Sequence, residues 1–150
     1  MEEFSDQQIT LKATQDNYER FMAFITSQLL RGETPASDRT PILIACEELI
    51  VNVMQFAYGG DDGILSVAVE HTPHGVSITL VDNGIPFNLV ERVDADVSVP
   101  LHERQSGGLG IFIVKNLMDE VKYEYRDNRN IVRITKRVSG SPRALSPEGS

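Results

Sequence analysis

Two stretches with large apolar residues at every second position constrain this chain more than anything else in it. Ile64 to Glu70 carries Leu65, Val67 and Val69, and Val76 to Val81 carries Val76, Ile78 and Leu80, which puts these apolar residues on one side of a pleated strand. The turn Thr72-Pro73-His74-Gly75 lies between them, so they predict an antiparallel hairpin. Val121 to Tyr125 and Ile131 to Arg137 predict a second hairpin, turning at Asp127-Asn128-Arg129-Asn130, and Gln8 to Ala13 predicts one more half-buried strand. A sheet with one apolar face must be covered, and the cover is visible as helical spacing. Tyr18, Phe21, Met22, Ile25 and Leu29 mark one helix over Asn17 to Leu30. Thr40-Pro41 reads as an N-cap with proline at the first helical position. The helix it opens runs through Ile42, Ala45, Cys46, Leu49, Val53 and Phe56 to about Tyr58. A third spans about Leu109 to Met118. The order is strand, helix, helix, two strands, loop, helix, two strands. It predicts an α+β fold, a two-layer α/β sandwich of three main helices on a mixed, mostly antiparallel sheet.

The length of 150 residues suits one domain. It is expected over residues 1–138, with a disordered Ser-, Pro- and Gly-rich tail over 139–150. A net charge of −8 argues against direct nucleic-acid binding and against anionic membrane surfaces. The single cysteine, Cys46, excludes an intramolecular disulfide, and His71, His74 and His102 show no metal-ligand spacing. His71 and His74 flank a hairpin turn and read as surface residues. The start Met1-Glu2-Glu3-Phe4 is acidic and unlike a signal peptide. Apolar runs such as Ile42 to Cys46 are far too short to span a membrane. The expected compartment is the cytoplasm.

Three stretches could carry chemistry. Glu47-Glu48-Leu49-Ile50-Val51-Asn52 lies within the strongly apolar second helix. Residues four apart are about 40° apart around a helix and residues five apart about 140°, so Glu48 and Asn52 share a face and Glu47 points elsewhere. The plain reading is a solvated polar stripe with a weak side-chain contact. The functional one is a general base beside an oxygen ligand for Mg²⁺. Asp82-Asn83-Gly84 follows a strand. It reads either as an ordinary turn or as a carboxylate placed to accept from an exocyclic amine, with Gly84 leaving room for a flat ring. Ser106-Gly107-Gly108-Leu109-Gly110 runs straight into the third helix. It is either a flexible loop or a phosphate seat, because glycines and a helix N-terminus offer close, unpaired N–H groups. Before it, Asp82 to Gln105 is mostly polar, with Pro86 and Pro100. A connection of that length is often a lid.

The combination is more specific than its parts. Glu-x-x-x-Asn on a helix, Asp82-Asn83-Gly84-Ile85-Pro86-Phe87, and Gly107-Gly108-Leu109-Gly110-Ile111-Phe112 before a helix occur in that order. The chain resembles the Bergerat-fold ATPases, and with Ala57-Tyr58 looks most like the anti-sigma-factor serine/threonine kinases. The resemblance spans about Ile9 to Lys136. It implies a Bergerat-type sandwich binding ATP and Mg²⁺. Asp82 would receive the adenine amine, Gly84 would give the ring space, and Asn52 would hold Mg²⁺. Gly107, Gly108, Leu109 and Gly110 would line the phosphates, Arg104 would steady them from the lid, and Glu48 would act as catalytic base. It also implies a homodimer whose partners are a sigma factor and a small anti-sigma-factor antagonist, phosphorylated on Ser or Thr. A second reading stays open, a nucleotide-gated module that sequesters a partner without transfer.

Overall fold

The computed structural model of the chain describes residues 3–4, 7–56, 63–86 and 108–138. Strands β1 (Glu3–Phe4) and β2 (Gln8–Lys12) come first. A 3-10 turn (Gln15–Asn17) then leads into helices α1 (Tyr18–Arg31) and α2 (Ala36–Phe56). Next come β3 (Ile64–Thr72), β4 (Gly75–Asp82), α3 (Gly108–Leu117), β5 (Glu120–Arg126) and β6 (Arg129–Arg137). The six strands form one sheet in the order β1-β2-β3-β4-β6-β5.

The two-layer α+β sandwich expected from the patterning is what the chain adopts. Every described strand pair is antiparallel, so the sheet is more uniform than the mixed one expected. The register explains which face is covered. Ile9, Val67, Leu80 and Val132 lie in one cross-strand row, and Val69, Ile78 and Ile134 in the next. All are buried together with Phe21, Ile25 and Leu29 of α1, Ile42, Ala45, Cys46, Leu49, Ile50 and Val53 of α2, and Ile111 and Val114 of α3. Three helices therefore cover one face. The opposite face carries small polar residues, paired across strands: Thr10 with Ser66 at 2.7 Å and Ser77 with Thr135 at 3.3 Å.

Local chemistry sets the boundaries, and three differ from expectation. First, α2 begins at Ala36, before the expected Thr40-Pro41 start, and Pro41 lies inside the helix. The carbonyl of Pro35 accepts from the main-chain N–H groups of Asp38 and Arg39, both at 2.9 Å, so helical bonding is already established ahead of Pro41. Pro41 is thus the sixth residue of the helix and has no N–H to offer the carbonyl four places back, a local cost that the packing of α2 must offset. Second, the β5–β6 turn is shorter than the four residues expected. Asp127 (φ 56°) and Asn128 (φ 64°) both adopt the left-handed region, which makes a two-residue turn of the type that matches strand twist. Pairing resumes at Arg126–Arg129, and Asn130 belongs to β6. Third, β1 adds an edge strand too short to show a period. At the β3–β4 end, Thr72 Oγ1 accepts from the N–H groups of His74 and Gly75, both at 3.1 Å. The expected lid beyond Pro86, the expected end of the second helix near Tyr58 and the tail over 139–150 lie outside the described residues.

Candidate functional site

The apolar stripe of α2 recurs at Ile42, Ala45, Cys46, Leu49, Ile50 and Val53, which leaves Glu48 and Asn52 at its margin. Glu47 is exposed, Glu48 half-buried and Asn52 only 2 % exposed. Asn52 Nδ2 donates to the main-chain oxygen of Glu48 at 2.7 Å. That bond fixes the amide and leaves Asn52 Oδ1 buried with no hydrogen-bond partner among the described residues. An unsatisfied buried acceptor costs about 1–3 kcal/mol, so the fold carries this oxygen at a loss unless a ligand meets it.

The first turn of α3 closes over the same pair. A Cβ built on Gly110 would overlap Glu48 Oε1, and would lie 3.3 Å from Glu48 Cδ and 3.5 Å from Asn52 Nδ2. Only glycine allows so close an approach. The main-chain N–H groups of that turn, Gly108 and Leu109 included, have no intrahelical acceptor and carry the positive end of the helix dipole. A carboxylate, an orphaned amide oxygen and a helix N-terminus thus meet at one place.

Burial raises the proton affinity of Glu48, and repulsion from the Glu47 carboxylate raises it further. Tyr18, at the start of α1, hydrogen-bonds Glu47; burial, that bond and the nearby carboxylates push its phenol up to about 12. Both effects follow from crowding negative charge on a partly desolvated helix face. Cys46, fully buried in the core stripe of α2, is pushed up to about 12 by burial and stays a neutral thiol.

A second polar cluster lies at the end of β4. Asp82, the last residue of that strand, is 4 % exposed. It shares a cross-strand row with Leu65 and Asn130, on the helix-covered face. Its Oδ1 accepts from the Gly84 N–H at 2.9 Å and from Asn130 Nδ2 at 3.0 Å. Asn130, 3 % exposed, also donates to the carbonyls of Gly84 (3.4 Å) and Ile85 (2.7 Å). The Tyr123 hydroxyl donates to Asn130 Oδ1. Sequence reasoning missed Asn130 and Tyr123. Asn130 looked like a turn residue, and Tyr123 like one more strand aromatic.

The structure therefore brings Glu48, Asn52 and Gly110 together, and puts Asp82 and Gly84 in a separate buried turn. Gly108 and Leu109 form the first turn of α3, while Arg104 and Gly107 lie outside the described residues. His71 is exposed, but it is not idle: its Nε2 meets the Gln28 carbonyl at the end of α1 at 3.0 Å. Among the described residues no group of three or more His, Cys, Asp or Glu side chains could hold a metal. Mg²⁺ does not require one, since it binds through one or two protein oxygens completed by phosphates and water. The orphaned Asn52 Oδ1, a hard oxygen beside a carboxylate, fits that role. No helix among the described residues is long and apolar enough to cross a membrane.

Comparison with known proteins agrees with the fold and extends it. Over 93 residues the chain is 28 % identical to the serine-protein kinase RsbW of Bacillus thuringiensis (strain Al Hakam). It matches the same protein of Bacillus cereus (strain 03BB102) and Bacillus anthracis (strain A0248) at the same identity. Each match covers 59 % of this chain and 58 % of the relative, so the similarity spans little more than half the length of those proteins. A solved structure of the RsbU and RsbW domains of Rv1364c from Mycobacterium tuberculosis superimposes with a TM-score of 0.59 at 18 % identity. It covers 87 % of this chain and 32 % of that one, and shows the shared fold. Residues 11–136 match the histidine kinase-like ATPase domain, and the chain belongs to that family.

Proposed function

We propose that the protein is an Mg·ATP-dependent serine/threonine-protein kinase that also acts as an anti-sigma regulatory factor. The observation that carries this reading is Asn52 Oδ1, buried without a partner beside the Glu48 carboxylate and under the first turn of α3. Family membership supports ATP as the ligand, and the relatives' name, serine-protein kinase, supports transfer to a protein hydroxyl.

In this reading Asp82 accepts from the adenine amine, with Gly84 beside the ring. The N–H groups of Gly107, Gly108, Leu109 and Gly110 face the phosphates, and Arg104 adds charge from the lid. Asn52 Oδ1 would hold Mg²⁺, which when bound would supply neutralisation of phosphate charge. Glu48 takes the proton of the attacking Ser or Thr hydroxyl as the new P–O bond forms and ADP leaves. Positioning and electrostatics supply most of the catalysis in such transfers. Glu48 suits the base role because its raised proton affinity brings it closer to working pH. The expected acceptor is a small anti-sigma-factor antagonist, the sequestered partner a sigma factor, and the working form a cytoplasmic homodimer.

The first experiment is calorimetric titration with Mg·ATP, run beside Asp82→Asn. Binding by the parent, lost in the variant, is the expected result. A parent that binds no nucleotide overturns the reading. Glu48→Gln then separates a kinase from a nucleotide-gated binding module. The variant should keep ATP affinity and lose phosphorylation of the antagonist; equal phosphorylation by both would remove Glu48 from the mechanism.

A further inference from the structure

Among the described residues around Asp82, the buried amide of Asn130 meets four groups. Nδ2 faces the Asp82 carboxylate and the carbonyls of Gly84 and Ile85, and Oδ1 faces the Tyr123 hydroxyl. All three groups on the nitrogen side accept and none donates. Rotating the amide by 180° would set its oxygen against those three acceptors, so the orientation is fixed by chemistry. Tyr123 lies one row from Asn130 in the sheet and donates from the other side, which locks the amide further.

Asn130 therefore does two things to Asp82. It stabilises the charged carboxylate through a direct N–H donor, and it pins Oδ1 while holding the Gly84-Ile85 turn in place. A carboxylate whose Oδ1 is already held by two N–H donors faces a bound ring as an acceptor. It favours a ring that presents an amine and repels one that presents a carbonyl oxygen at the same place. We infer that Asn130, locked by Tyr123, is the positioning residue that sets base selectivity at this site, by holding Asp82 as an acceptor for 6-amino and against 6-oxo purines. The inference rests on the nucleotide-binding reading above.

The test compares ATP with inosine triphosphate, which replaces the 6-amine by an oxo group at nearly unchanged shape. Affinities for both are measured in the parent, in Asn130→Ala, in Asn130→Asp and in Tyr123→Phe. The parent should prefer ATP by about a hundredfold or more. Asn130→Ala should narrow that ratio at least about tenfold, the scale of one charge-assisted hydrogen bond. Asn130→Asp should narrow it most, because two facing carboxylates share a proton and the pair can then donate to an oxo group. Tyr123→Phe removes one hydroxyl from a half-buried ring and should move the ratio the same way, by less. A merely structural role would weaken both ligands together and leave the ratio unchanged; that outcome in the folded variants overturns the inference. A parent that binds neither nucleotide overturns the underlying reading instead.

Discussion

Gly110 stands so close to Glu48 that a single methyl group on its α-carbon would overlap the carboxylate Oε1. The atom in the way is the end of a side chain, not backbone. The helix need not move to admit the methyl group, but the carboxylate must. Gly110→Ala should therefore fold, since alanine suits a helix better than glycine, while swinging Glu48 out of position. The expected result is a parent-like melting curve with phosphoryl transfer reduced about a hundredfold or more, because misplacing a reacting group by about 1 Å is costly on that scale. Transfer at the parent's rate would show that Glu48 has no fixed place in the chemistry.

Glu48 also predicts how stability varies with pH. Burial, and then the Glu47 carboxylate, raise its proton affinity in the folded state. The folded protein thus binds more protons than the unfolded chain between the two values. Stability falls as pH rises through that interval, and the penalty is absent below the ordinary glutamate range, about pH 4. Glu48→Gln should melt higher than the parent at pH 7, with the difference closing as pH falls below about 4. A difference that stays constant across that range would contradict the assignment.

The same electrostatics gives a kinetic prediction for Glu47. Its carboxylate holds the Glu48 proton more tightly, and Tyr18 donates to it. Glu47→Gln removes the repulsion. The acid limb of the transfer rate against pH should move to lower pH, with ATP affinity unchanged. An unmoved limb would mean that Glu48 is not the group titrating.

Asn52 separates stability from function. Its Oδ1 is a buried acceptor without a partner among the described residues, and the Glu48 carbonyl that takes its Nδ2 also lies inside the helical ladder of α2. Asn52→Leu keeps the volume and removes the orphan. It should raise the unfolding free energy by about 1 kcal/mol or more and abolish Mg·ATP binding. A less stable variant would show the oxygen to be satisfied within the fold, and one that binds Mg·ATP like the parent would remove Asn52 from the site.

Much of this was legible in the sequence, for a physical reason. Periods of two and of about 3.6 are properties of single segments, so both hairpins, all three helices and the shared face of Glu48 and Asn52 could be read from spacing alone. What escaped depends on meeting a distant residue, or on turn geometry. Pro41 looked like a helix start because proline favours that place, yet Pro35 already accepts the first N–H groups. Asn130 looked like a turn residue until the left-handed pair Asp127-Asn128 shortened the turn and put it opposite Asp82. No spacing rule links Asn130 to Asp82, or His71 to Gln28.

His71 supplies the last prediction, at the end of α1. The helix closes with the Thr34 N–H on the Leu29 carbonyl and the Glu33 N–H on the Leu30 carbonyl, both at 3.0 Å. That pattern needs a left-handed residue, and Glu33 takes it with φ at 60°, where glycine is usual. Glycine stands one place earlier, at Gly32, whose φ of −85° any residue could adopt. The reason is His71: its ring occupies the space a Gly32 side chain would fill. Because a carbonyl can only accept, the ring donates Nε2–H to Gln28. Glu33→Gly should therefore stabilise by about 0.5–1 kcal/mol, through relief of the left-handed strain. Gly32→Ala should destabilise by about 1–2 kcal/mol, by expelling the ring and breaking its bond. The double variant Gly32→Ala with His71→Ala should recover part of that loss, since the methyl group then enters vacated space. Thermal melts of the parent, Gly32→Ala, His71→Ala and the double variant close the cycle. Strict additivity of the two substitutions would show that ring and glycine do not share the site.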